Sequence, residues 1–189
     1  MTDTDRQRQE DELDRRIWRA VFIGGTIVAV IVCALGWRFV APRLDAAKQL
    51  DHSVVVVNQA DTELAALGSA VAAEAASPST ATEAALIGLQ PGLADTRTRL
   101  AEVVAGIDAG MPRLSDDEQR EAVLVRAGAQ ARLDEIDAVP GIVSASRRAA
   151  NEPSAANTEA LRKLAIGPSG AYQSARARAA EADTALKGL

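Results

Sequence analysis

Apolar positions are distributed along this chain in two ways. One stretch, Ala20 to Trp37, is eighteen residues without a charge, set between Arg19 and Arg38. Beyond it, apolar residues recur every three or four positions, the spacing that places them on one face of a helix. The uncharged stretch predicts a transmembrane helix over 20–37. Trp18 and Trp37, the two tryptophans, stand near its ends, roughly 28 Å apart at about 1.5 Å per residue. That separation matches a hydrocarbon core with interfacial aromatics at both surfaces.

The periodic part, 42–189, reads as an all-α domain. Pro42, Ser77-Pro78-Ser79-Thr80, Gly110-Met111-Pro112 and Asn151-Glu152-Pro153-Ser154 punctuate it, because proline and small polar residues stop and start helices. Four helices are expected, over 42–76, 80–109, 115–150 and 154–187. Similar lengths joined by short connections imply an antiparallel up-down-up-down four-helix bundle or a coiled-coil-like equivalent. The first seam carries Ala47, Leu50, Val54, Val57, Leu64 and Val71, with Asp61 and Gly68 at two further seam positions; the second carries Leu86, Leu89, Leu93, Leu100, Val104 and Ile107. The third carries Val125, Ala129, Leu133, Ile136 and Val143 behind a Ser115/Glu118 capping box. The fourth, with Leu161, Leu164, Tyr172 and Leu186, is the least hydrophobic. Val54 to Val57 are four β-branched residues in a row; with no partner strand in sight they are read as helix.

Charge orients the anchor. Arg6, Arg8, Arg15, Arg16 and Arg19 precede the uncharged stretch, against Arg38, Arg43 and Lys48 after it. The positive-inside rule then makes residues 1–19 a cytoplasmic tail and the helical domain extracytoplasmic, at the cell membrane. A signal peptide cleaved after small residues near Ala34-Leu35-Gly36 is the competing reading, against which stand the length of the uncharged stretch and the charged tail before it. Cys33 is the single cysteine, so the outer domain forms no internal disulfide and rests on helix packing. Lysine is scarce and Ala, Val, Gly and Arg abundant, a composition typical of high-GC bacteria. The net charge of -5, the lack of a basic stripe and the shortage of aromatics exclude a nucleic-acid partner.

Three prolines fall inside helical segments: Pro91 with Gly92, Pro140 with Gly141, and Pro168 between Gly167 and Gly170. Each costs about 3 kcal/mol in a helix interior. Counted from the distal turns they share one layer, with Gly68 near it. Two readings remain open: matched kinks that keep the helices in register, or a ligand pocket beside Tyr172 formed by Gly68, Pro91, Gly92, Pro140, Gly141 and Pro168.

Candidate chemistry is sparse. Asp51-His52-Ser53 has the residue types of a hydrolase triad, but neighbours on a helix point about 100° apart and cannot align. His52, the only histidine, makes no zinc site without cysteines. Asp116, Asp117 and Glu118 suit the first turn of a helix. Asp134, Glu135 and Asp137 read as a solvated acidic face, and Arg147-Arg148, Arg162-Lys163 and Arg176/Arg178 as pairing partners or solvated bases. No enzyme activity, cofactor or metal is expected.

Within the uncharged stretch, Gly25, Ala29 and Cys33 make a strip of small side chains suited to close helix–helix approach, a candidate dimer face. The layout resembles that of LemA-type proteins and chemoreceptor sensor domains in architecture alone. No LemA motif is present, so the resemblance implies a layout and no activity. The expected function is a single-pass bacterial envelope protein whose outer bundle is a scaffold, spacer or protein-interaction module. Its partners would be the lipid bilayer and a second protein or a second copy; a ligand-binding, sensor-like module is the alternative.

Overall fold

The computed structural model describes the backbone of residues 3–189 and the side chains of 32–38 and 40–189. It holds five α-helices, α1 (Asp3–Ala76), α2 (Thr80–Gly110), α3 (Asp116–Asn151), α4 (Ala155–Ile166) and α5 (Ala171–Leu186), with a 3₁₀ turn, Met111–Arg113, after α2. Contacts divide the chain into two units, residues 1–45 and 46–189.

The second unit is a helical bundle whose register follows from its cross-helix contacts. Along α1 and α2, Gln49 lies against Gly106 and Glu63 against Arg99, so one helix ascends as the other descends. Between α2 and α3 the ion pairs are Asp108–Arg126, Arg97–Asp137 and Glu83–Arg147, again antiparallel. Asp183 and Arg178 of α5 pair with Arg132 and Asp134 of α3 in the same opposed sense. By contrast, Asp61 meets Arg132 and Glu74 meets Ser146, so α1 and α3 run parallel. Together these contacts belong to a helical bundle, in which α3 packs against α2, α4 and α5.

Local signals explain most helix ends. Ser79 opens α2, its hydroxyl accepting from Thr82 N–H at 3.2 Å while Thr82 Oγ1 accepts from Ser79 N–H at 3.0 Å. At α3, Glu118 Oε2 reaches back to the Ser115 N–H at 2.7 Å, which satisfies a donor the helix cannot. Asp116, Asp117 and Glu118 occupy the first turn, where their charge suits the dipole.

Two expected boundaries differ. Pro42 does not break the chain into separate helices, since α1 runs through it. The expected fourth helix, 154–187, is two helices. Gly167 and Gly170 adopt extended backbone, ψ 137° and 144°. Pro168 disfavours helical conformation in the residue before it and itself supplies no N–H.

The core is a seam of leucine, valine and alanine. Leu67, Leu86, Leu100 and Leu161 are 0% exposed, while Ala60, Ala122, Ala129, Ala165 and Ala175 fill positions that larger residues would hold in a thicker bundle. Of the four valines in a row, Val56 and Val57 are buried and Val55 is exposed. Leu164, expected in the fourth seam, is exposed at the α4 surface.

Candidate functional site

The polar chemistry of the bundle gathers where α1, α3 and α5 meet. Along α3 the inward stripe is Val125, Ala129, Arg132, Ile136, Val139 and Val143, all buried. Arg132 thus occupies a seam position and is 1% exposed. A guanidinium so placed needs partners for its donors. Its Nε and Nη2 donate to Asp61 of α1 at 2.7 and 2.8 Å, Nη2 donates to Asp183 of α5 at 2.8 and 3.0 Å, and Nη1 donates to the Gly128 carbonyl at 3.1 Å. Gly128 matters here: a Cβ on it would lie 3.1 Å from Arg132 Nη1.

One turn along α3 stands Glu135, 4% exposed. Burial pushes its carboxyl above the ordinary carboxylate value, a shift that Tyr172, Arg176 and Arg132 partly oppose. Tyr172 of α5 is wholly buried. Burial, with the Glu135 carboxyl beside it, raises its phenol. No group closes a well-formed hydrogen bond on the Tyr172 hydroxyl among the described residues. Arg176, one turn along α5, lies against Gly68, where a Cβ would sit 3.0 Å from its Nη1. A Cβ there would crowd the guanidinium. The ion pairs of this region go to Arg132 and Arg178, and Arg176 forms none among the described residues.

These side chains border a cavity of about 260 Å³, lined by Asp61, Leu64, Glu135, Arg176, Ala180 and Asp183 among others. A second buried polar contact lies nearer the distal end, where the Ser146 hydroxyl donates to Glu74 Oε1. The other oxygen of Glu74 is buried without a partner.

The residues singled out from sequence are only partly brought together. Gly68 and Tyr172 are buried on α1 and α5 beside this cluster. Pro91, Gly92, Pro140, Gly141 and Pro168 are all exposed, and a Cβ added at Gly92 or Gly141 would meet nothing within 4 Å. At the register set by Glu63 and Arg99, Pro91 and Gly92 of α2 stand near the height of Gly68, but they face outwards. On a solvent-facing side, water can satisfy the carbonyl that proline frees. Pro91 and Pro140 are therefore tolerated inside continuous helices. Glu135, expected on a solvated face, is instead buried.

Arg132 itself, Glu74 and Ser146 escaped the sequence reading. The signal for them was their phase, polar residues standing where the three-four repeat calls for apolar ones. Of the expected dimer face, Gly25 and Ala29 lie outside the described side chains, and Cys33 is exposed. His52 and Asp51 are exposed, and the Ser53 hydroxyl donates to the Gln49 carbonyl at 2.8 Å. Among the described residues no cluster of His, Cys, Asp or Glu is arranged to hold a metal. No helix among them is long and apolar enough to cross a membrane, and the side chains of 20–31 lie outside that description. Comparison with protein-family models, with curated proteins and with solved structures gives no match.

Proposed function

We propose that the protein is a single-pass, membrane-anchored bacterial envelope protein whose helical bundle lies outside the membrane as a scaffold, spacer or interaction module. The observation that carries this reading is the uncharged stretch 20–37, together with the apolar surface at its C-terminal end on α1. Val32, Leu35, Trp37, Val40 and Leu44 expose large apolar side chains on that helix, which water penalises and a bilayer would cover. The arginine excess on residues 1–19 assigns the tail to the cytoplasm. Gly25, Ala29 and Cys33 supply a strip through which a second copy would pack. For the bundle, the interaction role rests on an alanine-rich seam that stabilises little per residue, so that a partner helix would add to it.

Extraction of membranes from cells expressing the full chain tests the anchor. The protein is expected to stay with the membrane in alkaline carbonate and to lose its bundle to protease added outside spheroplasts. Release by carbonate, or a mature N-terminus beginning near Gly36 or Trp37, would overturn the anchored reading. Crosslinking from intact membranes, with Gly25→Leu/Ala29→Leu as the comparison, tests partner and dimer. A homodimer band unchanged by the two leucines removes the strip.

A further inference from the structure

The cavity between α1, α3 and α5 has an uneven charge distribution that the bundle itself does not use. On one side Asp61 and Asp183 share a single guanidinium, Arg132. Two carboxylates against one cation leave one negative charge, and it is accessible because Asp61 is 49% and Asp183 32% exposed by side chain. On the other side stands Arg176, an exposed side chain beside Gly68; it closes no ion pair at contact distance among the described residues, and its positive charge acts on Glu135. Between the two poles lies Glu135, almost fully buried yet lining the cavity, and beside it the Tyr172 hydroxyl, which closes no well-formed hydrogen bond among the described residues although Glu135 and Arg176 both stand near it. Natural structures leave few buried polar groups unsatisfied, and those that remain call for an explanation.

We propose that this cavity binds a small zwitterion, a free α-amino acid or a molecule of the same charge pattern, with its ammonium at the Asp61 and Asp183 carboxylates and its carboxylate at Arg176. The size agrees. At about 260 Å³ the cavity is below the range of about 300–1,000 Å³ that suits drug-sized ligands. The charge pattern excludes simpler ligands. A plain anion meets three carboxyl groups, and a plain cation meets the Arg176 guanidinium beside them. Leu64 and the alanines of α5 give an apolar wall for a short side chain. The Tyr172 hydroxyl lies behind Glu135, against its carboxyl. This ligand role is additional to the anchored scaffold and does not depend on the bundle being outside the membrane.

The test is calorimetric titration of the purified full chain in detergent with each of the twenty standard amino acids, with ethylamine and with propionate. The last two are alanine without its carboxylate and without its ammonium. At least one amino acid is expected to bind at micromolar to low-millimolar concentration, and ethylamine and propionate at least tenfold more weakly. Arg176→Gln should weaken the bound amino acid at least tenfold, with Arg176→Lys recovering part of the loss. Ala180→Leu, which fills the cavity from an exposed position, should abolish binding while the circular dichroism melt stays cooperative. Three results overturn the proposal: no heat with any amino acid, ethylamine binding as tightly as the best amino acid, or Arg176→Gln binding like the unaltered protein.

Discussion

Arg132 of α3 holds both carboxylate oxygens of Asp61 of α1, at 2.7 and 2.8 Å, across 71 positions of sequence. The geometry is the bidentate fork in which guanidinium and carboxylate match best. It ties the two parallel helices of the bundle, while the same guanidinium reaches Asp183 and so adds α5. The desolvation cost falls almost wholly on Arg132, because its carboxylates keep contact with water.

Removing that guanidinium should therefore cost less than breaking a fully enclosed pair. A buried pair loses about 3–5 kcal/mol when one partner is deleted, because the other charge is stranded. Here Asp61 and Asp183 can rehydrate, and Arg132→Ala is expected to lose about 2–4 kcal/mol, much of it from the cavity left in the seam. Arg132→Met, which keeps most of the volume, should lose clearly less. Urea unfolding followed by circular dichroism measures both, and a methionine variant as unstable as the alanine one would show that charge, and not packing, dominates.

Glu135 gives the bundle a pH dependence of defined sign. Its carboxyl titrates above the ordinary 4.5 because burial disfavours the charged form. The folded protein thus binds this proton more tightly than the unfolded chain. Its contribution to stability is full below about pH 4.5 and falls as pH rises through the folded value. Glu135→Gln removes that loss. The melting temperature of the variant minus that of the unaltered protein should grow more positive from pH 4 towards pH 7. Glu63, whose carboxyl is lowered chiefly by the Thr96 hydrogen bond and then by Arg99, works in the opposite sense. It is common to both chains and cancels in the difference.

Two pairs of glycines differ sharply in what surrounds them. Around Gly92 and Gly141 there is open space, and both stand inside helices, so alanine at either should stabilise by about 0.5–1 kcal/mol. At Gly170 a Cβ would come 2.4 Å from the Lys163 carbonyl oxygen, and at Gly167 2.5 Å from the same atom. That oxygen is backbone and cannot move aside cheaply. Gly170→Ala is expected to lower the melting temperature where Gly141→Ala raises it; equal shifts of one sign would contradict the break between α4 and α5.

How much of this was legible depended on whether a residue's chemistry agreed with its phase. Leu100, Val125 and Ile136 announce their burial by being apolar on the three-four repeat, and Ser115/Glu118 announce a helix start by type and spacing. Arg132 sits on the same repeat between Ala129 and Ile136, yet its charge argues for solvent, and only contact with Asp61 and Asp183 resolves the conflict. The outward direction of Pro91 and Pro140 was equally hidden. Height along a helix follows from counting residues, while facing depends on which helices pack on which side. The Gly167–Gly170 segment was legible as a disturbance. Whether it kinks or breaks a helix is decided by whether the chain beyond it finds a better seat, as α5 does against α3.

The contact between Glu74 and Ser146 yields the sharpest test of how this thin core tolerates polar groups. Glu74 is 0% exposed and Ser146 1%, and the serine hydroxyl is the one hydrogen bond the carboxyl makes among the described residues. Ser146→Ala removes that partner while leaving Glu74 in place, which should destabilise by about 1–3 kcal/mol, the cost of a buried polar group left unmade. Replacing both, Glu74→Met with Ser146→Ala, removes the need for the bond and keeps the volume. It should recover the loss and approach or exceed the original stability. The double-mutant cycle, read by chemical denaturation, is then strongly non-additive. Additive losses would mean that Glu74 finds water or another partner in solution.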